Sequence, residues 1–121
     1  MDEIILPIED ELVEQLRDII RAAEPARGTL PSGFIVFIVD RTKGLKIEIR
    51  INEHPPPHFH VTGDGEDASF SILHGTRLPG VTGLERWDAH ILKWWTINRF
   101  MLVQRWNASR PSNCAVGPIV L

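Results

Sequence analysis

Three consecutive prolines at residues 55–57 constrain the fold of this 121-residue chain more than any other feature. They separate two segments in which apolar and polar residues alternate, LKIEIRIN (45–52) before them and HFHVTG (58–63) after them. Proline has no backbone N–H to donate to a β-ladder, so the run cannot lie within a central strand. It predicts a stiff, extended connection that fixes how the second strand joins the sheet.

Alternation assigns the side chains of both segments to two faces of that sheet. Glu48 and Arg50 fall on the polar face of the first segment. In the second segment His58 and His60 fall on the polar face, about 6.6 Å apart along the strand, while Phe59 points to the core. If neighbouring strands align, the same face also carries Lys46, Thr62, Ser69 and Ser71.

The remaining patterns predict two further strands and two helices. FIVFIV (34–39) is typical of a buried strand, and DASFSIL (67–73) alternates after the turn GDGE (63–66). Helical spacing predicts an amphipathic helix over 9–23 and a long helix over about 84–107. Ile97, Phe100 and Met101 lie outside the main apolar face of the long helix, which predicts a second buried side, against the first helix or in a homodimer. The predicted class is α+β: a four-stranded antiparallel meander packed against the C-terminal helix, with the N-terminal helix alongside.

Length and composition indicate a single domain spanning residues 1–121. No apolar run is long enough to cross a membrane, and the start MDEIILPIEDE lacks the basic region of a signal peptide. Cys114 is the only cysteine, which favours a reducing cytoplasm as the location. The net charge of −3 is unevenly spread, because the first 24 residues are acidic and residues 77–110 are basic. These two ends are expected to be ordinary solvated surfaces or to contact each other, or the basic end is expected to bind an acidic partner.

The polar face with its two histidines has three interpretations that the residues leave open. His58 and His60 can bind one zinc ion, with His54 or Glu53 as a third ligand. They can instead act without metal as acid and base in phosphodiester cleavage, with Arg50 stabilising the transition state and Glu48 beside it. In the third interpretation they only hydrogen-bond the proline turn and set the strand register.

The stretch NEHPPPHFHV (52–61) resembles the signature of a family of small bacterial proteins, domain of unknown function 4160. The resemblance extends over about residues 34–107, through LKWWTINRFMLVQRW with Trp95 and Trp106 in the expected places. The N-terminal helix and the tail 108–121 lie outside it.

Members of this family are often encoded beside a second small protein and are suspected to form toxin–antitoxin-like pairs. The resemblance therefore implies the toxin-like member of a two-gene module, with a small protein partner encoded nearby and a nuclease-like activity on nucleic acid. It implies no cofactor except zinc in the metal interpretation, and it leaves open whether the chain is an enzyme. The rival class is a non-catalytic interaction module in which the surface of the long helix binds a partner.

Overall fold

A computed structural model of the chain describes residues 5–23, 42–50 and 56–109. The four strands of these ranges form one sheet in which they lie side by side in chain order, and each neighbouring pair is antiparallel. The predicted α+β class, with a four-stranded antiparallel sheet, a long C-terminal helix and an N-terminal helix, is confirmed. In chain order the elements are strand β1 (Ile5–Pro7), helix α1 (Asp10–Ala23), strands β2 (Lys46–Arg50), β3 (His58–Gly63) and β4 (Glu66–Ser71), a 3-10 turn (Glu85–Trp87) and helix α2 (Asp88–Ser109).

The strand β1 was not predicted from the sequence. It has three residues, too few to show alternation, and it pairs Leu6 with Ile49 at the edge of the sheet. Pro7 is tolerated there because an edge strand does not need every backbone donor. The strand predicted at residues 34–39 lies outside the described residues.

The apolar face of the sheet packs against the two helices. Phe59 and Phe70 are directly opposite each other on β3 and β4, with ring centroids 5.8 Å apart. Trp94 of α2 lies 5.8 Å from the Phe59 ring, measured between centroids, and joins the sheet to the helix layer. Each such buried side chain contributes about 1.5–3 kcal/mol through removal of apolar surface from water.

Helix α1 lies beside α2, and hydrogen bonds join this part of the chain to α2, among them Asn98 Nδ2 to Gln15 Oε1 at 3.0 Å. The Trp94 indole N–H donates to the Leu12 carbonyl oxygen at 2.8 Å. Arg105 near the end of α2 forms an ion pair with Glu9, just before α1, with Nη2 donating to Oε2 at 2.7 Å. The acidic N-terminal region and the basic C-terminal region therefore do contact each other.

Arg17 attaches α1 to the chain that leads into β2. It is only 7% exposed, and its guanidinium donates to the carbonyl oxygens of Thr42 at 3.1 Å and Leu45 at 2.7 Å. The same group pairs with Asp10 and Glu14 on the surface of α1. The Thr42 carbonyl oxygen also accepts from the Leu45 backbone N–H at 3.1 Å, so the bond to Leu45 is the one that supplies a donor to an otherwise unpaired buried carbonyl group among the bonds described here.

The second apolar side that the sequence predicts for α2 is covered only in part. Met101 packs against the core, whereas Ile97 and Phe100 are 60% and 58% exposed. Packing against α1 therefore does not account for these two side chains. Among the described residues, no helix combines the length and the hydrophobicity needed to cross a membrane.

Candidate functional site

The polar face of the sheet brings together the side chains that alternation placed on it. Strand pairing puts Glu48 of β2 opposite His60 of β3, and His60 opposite Ser69 of β4. His58 lies opposite Ser71 in the same sheet. His54, named as a third ligand in the metal interpretation, lies outside the described residues.

The His58 ring is fixed by the backbone of Pro56, two residues before it. It is 2% exposed, and its Nδ1 lies 2.7 Å from the carbonyl oxygen of Pro56. A carbonyl oxygen only accepts hydrogen bonds, so Nδ1 carries the proton and donates it. In the neutral ring the lone pair is therefore on Nε2.

The His60 ring is held in the same tautomer by a carboxylate. It is 6% exposed, and its Nδ1 lies 3.0 Å from Oδ1 of Asp67, with the Ser69 hydroxyl oxygen 3.4 Å from the same nitrogen. Burial raises the pKa of Asp67, but hydrogen bonds from Arg50 and His60 outweigh it and hold the pKa below its usual range. An ionised carboxylate is an acceptor only, so His60 Nδ1 is the donor and Nε2 carries the lone pair.

Arg50 connects the two carboxylates of this face. Its Nη2 donates to Glu48 Oε1 at 2.8 Å and to Asp67 Oδ2 at 2.7 Å. Burial lowers the pKa of Arg50, but the hydrogen bonds to these carboxylates outweigh it and raise the pKa above its usual value. The result is a charged chain, Glu48–Arg50–Asp67–His60, in which Arg50 acts on the imidazole through Asp67.

The two imidazoles are close enough to act on one group or one ion. Their ring centroids are 5.1 Å apart and their planes are inclined by 58°. Trp106 of α2 lies 6.2 Å from the His58 ring, measured between centroids. Such a pair, with both lone pairs on Nε2, can exchange protons with a substrate or bind a metal ion.

Asp67 is the site residue that sequence reasoning missed. Alternation along β4 puts it on the same face as Ser69, but only the length of the hairpin turn decides that it reaches His60 diagonally across the ladder. The turn consists of Asp64 and Gly65, both with positive φ, which is the geometry that Asp-Gly favours in a two-residue hairpin. The signal that could have identified Asp67 is the predicted turn GDGE, because its type fixes which residues of the two strands are paired.

Two of the ligands in the metal interpretation, His58 and His60, are among the described residues. Within these ranges, no group of three or more His, Cys, Asp or Glu side chains is arranged to hold an ion. The hydrogen bonds on Nδ1 nevertheless fit metal binding, because metal-bound histidines usually donate their other ring N–H to a carboxylate or a carbonyl group.

The fold and the site together define an α+β protein with a buried histidine pair on the polar face of its sheet. A family model described as Domain of unknown function (DUF4160) matches residues 44–107, and the chain belongs to this family. The predicted family is thereby confirmed, and the matched span contains β2, β3, β4 and most of α2. A search among curated proteins and another among solved structures found no match.

Proposed function

We propose that this chain is the toxin-like member of a two-gene bacterial module and a nuclease-like enzyme whose acid and base are His58 and His60. The observation that carries the proposal is the pair of Nδ1 hydrogen bonds, 2.7 Å to Pro56 and 3.0 Å to Asp67. They put the lone pair of both neutral rings on Nε2, which a proton-transfer pair needs. The family resemblance supports the two-gene module and a small protein partner encoded nearby.

Cleavage of an RNA phosphodiester assigns different roles to the two rings. Nε2 of His60 removes the proton of the 2′-hydroxyl, whose oxygen attacks phosphorus while the bond to the 5′-oxygen breaks. The leaving oxygen takes a proton from Nε2 of a protonated His58. His60 is assigned the role of base because the Asp67 carboxylate at 3.0 Å holds its proton on Nδ1 and keeps the lone pair on Nε2. Arg50 and Glu48 then serve as positioning residues that hold Asp67.

Burial of both rings sets a condition on this reaction. With His58 and His60 only 2% and 6% exposed, a phosphodiester reaches Nε2 only when the neighbouring groups move apart. We therefore expect cleavage of flexible single strands rather than of duplexes, because a single strand can enter a narrow opening.

The test is cleavage of a single-stranded RNA oligonucleotide by purified protein, with the 2′,3′-cyclic phosphate as the expected product. His60→Gln and His58→Gln should each lower the rate by a factor of about 10²–10⁴. His74→Gln is the matched control, because His74 is exposed in the turn after β4 and should leave the rate unchanged. When induced in a bacterial host, His58→Gln and His60→Gln should each cause less growth arrest than the wild type, whereas His74→Gln should cause as much. Equal cleavage and equal arrest by all folded variants would remove the histidines from the mechanism.

A zinc site at the same two rings is the second candidate, and the ring separation favours it. Two imidazoles bound through Nε2 to one tetrahedral zinc at about 2.0 Å would place their centroids about 5 Å apart. The observed separation is 5.1 Å. His54 would supply a third ligand in this candidate.

Elemental analysis after zinc loading and gel filtration distinguishes the two candidates. The zinc site predicts one ion per chain in the wild type and in His74→Gln, and none in a His58→Gln/His60→Gln variant. Absence of stoichiometric metal in the loaded wild type would refute the zinc site, and cleavage that persists in a chelator would support the metal-free reaction.

A further inference from the structure

The outward side of helix α2 forms an apolar surface that the other described elements leave exposed. We call it the α2 outer face and define it by Leu92, Lys93, Ile97, Arg99 and Phe100. Its three apolar members are among the few exposed large hydrophobic side chains of the described residues. A helix that is apolar on both sides is normally covered on both sides, so the exposed side needs an explanation of its own.

A cleft beside this face provides a place for an apolar anchor. Its volume is about 290 Å³. The cleft lies where the end of β4 and the following turn meet α2, and Leu73 at its rim is 45% exposed. It is lined by Ile72, Leu73, Trp95, Arg99, Phe100 and Val103.

Arg99 distinguishes this face from the rest of the described surface. Its guanidinium carbon lies 4.9 Å from the centroid of the Phe100 ring and 5.9 Å from that of Trp95. Within the described ranges it pairs with no carboxylate, and neither does Lys93. Every other described arginine has a carboxylate partner: Arg17, Arg21, Arg50, Arg77, Arg86 and Arg105. The face thus combines exposed aromatic surface with two cations that form no direct ion pair in the described part of the chain, although Lys93 borders a groove that Asp18 of α1 also lines.

We infer that the α2 outer face binds an acidic amphipathic helix of a different protein. An apolar side chain of that helix would occupy the cleft, and carboxylates one turn away would pair with Arg99 and Lys93. A second copy of this chain is the less suitable occupant, because a two-fold interface would bring the same two cations of each copy together. This inference goes beyond the proposed function and does not depend on the histidines.

The test uses two designed helical peptides that share the same leucines and differ only in their flanking charges, glutamate in one and lysine in the other. Two-dimensional NMR of the labelled wild-type chain should show shifts at Trp95 and Phe100 with the glutamate peptide. Its affinity should exceed that of the lysine peptide by about tenfold, because two opposite-charge pairs are gained. Sedimentation of the free chain should show a monomer.

Two variants and a matched control complete the test. Phe100→Ser and Arg99→Glu should each weaken binding of the glutamate peptide about tenfold while the melting temperature stays unchanged. Lys46→Glu should have no effect, because Lys46 is another exposed cation, located on β2. Equal binding of both peptides, or shifts that avoid Trp95 and Phe100, would overturn the inference. A dimer of the free chain that Phe100→Ser dissociates would also overturn it, since the occupant would then be a second copy.

Discussion

Replacement of Asp67 by asparagine is the sharpest perturbation of the histidine site, because it removes one acceptor and changes little else. Arg50 only donates hydrogen bonds, so the single amide oxygen of the introduced asparagine should turn towards Arg50. The amide NH₂ group then faces His60 Nδ1, which in the wild type lies 3.0 Å from a carboxylate oxygen. A nitrogen that faces a donor must accept, so the proton of the neutral ring should move to Nε2.

The size of this effect follows from the hydrogen bond that is lost. A hydrogen bond to a charged group contributes about 1.5–3 kcal/mol, and the low end applies here because the Asp67 side chain is 46% exposed. About 1.5 kcal/mol corresponds to a tenfold change in the ratio of the two tautomers. Because the replacement amide also favours the other tautomer, we expect the Nε2–H form to predominate in the variant.

Stability should change with pH in a defined direction. The pKa of Asp67 lies below its ordinary value of 3.8, so its contribution to folding is fully present above that pH. The contribution is lost as the pH falls through the folded-state pKa. The wild type should therefore exceed Asp67→Asn in free energy of unfolding by about 1 kcal/mol at pH 7, and by less in acid.

The assay is a two-bond ¹H–¹⁵N correlation of the imidazole nitrogens, recorded for the wild type, Asp67→Asn and Asp64→Asn. Asp64→Asn is the matched control, because it makes the same chemical change in a hairpin turn that accepts asparagine at positive φ. With His60 as the base, the rate of RNA cleavage should fall in Asp67→Asn, because the Nδ1–H form of the ring is lost. The rate should stay unchanged in the control. A His60 ring that keeps its proton on Nδ1 in Asp67→Asn would refute the reasoning.

Two further predictions concern the attachment of α1. Arg17→Ala should lower the free energy of unfolding by about 1–3 kcal/mol in urea titrations, because the Leu45 carbonyl oxygen loses the guanidinium donor and the Thr42 carbonyl oxygen keeps only the Leu45 N–H, whereas the more exposed Arg21→Ala should cost less than about 1 kcal/mol. Equal losses of unfolding free energy in the two variants would show that the buried hydrogen bonds of Arg17 do not account for its contribution to stability. The hydrogen bond from Arg105 lowers the pKa of Glu9 from 4.5 to about 2, so the wild type should be more stable than Glu9→Gln above pH 4.5 and lose that advantage as the pH falls towards 2. A difference that stays constant between pH 7 and pH 2 in urea titrations would contradict this.

Alternation predicted the polar face of the sheet well, because strand periodicity is a local property of the chain. Glu48 and His60 are neighbours across the ladder, as two aligned strands require. The edge strand Ile5–Pro7 was not predicted because three residues are too few to show alternation. It is recognisable as a strand only through its pairing with β2. The contact between His60 and Asp67 escaped it because a diagonal pair depends on register, which a pattern within one strand does not contain.

The chemistry of the histidine pair is thus set by two turns rather than by the strand that carries it. The proline turn supplies the carbonyl oxygen that fixes the His58 ring, and the Asp-Gly hairpin sets the register that places Asp67 at the His60 ring. A Cβ at Gly63 in the same hairpin would lie 2.8 Å from a side-chain carbon of the buried Leu45, so a larger residue there would require Leu45 to shift. A one-residue slip of this register would move Asp67 to the apolar side of the sheet. It would therefore remove the carboxylate from His60 while leaving every residue of the His-Phe-His triplet in the sequence.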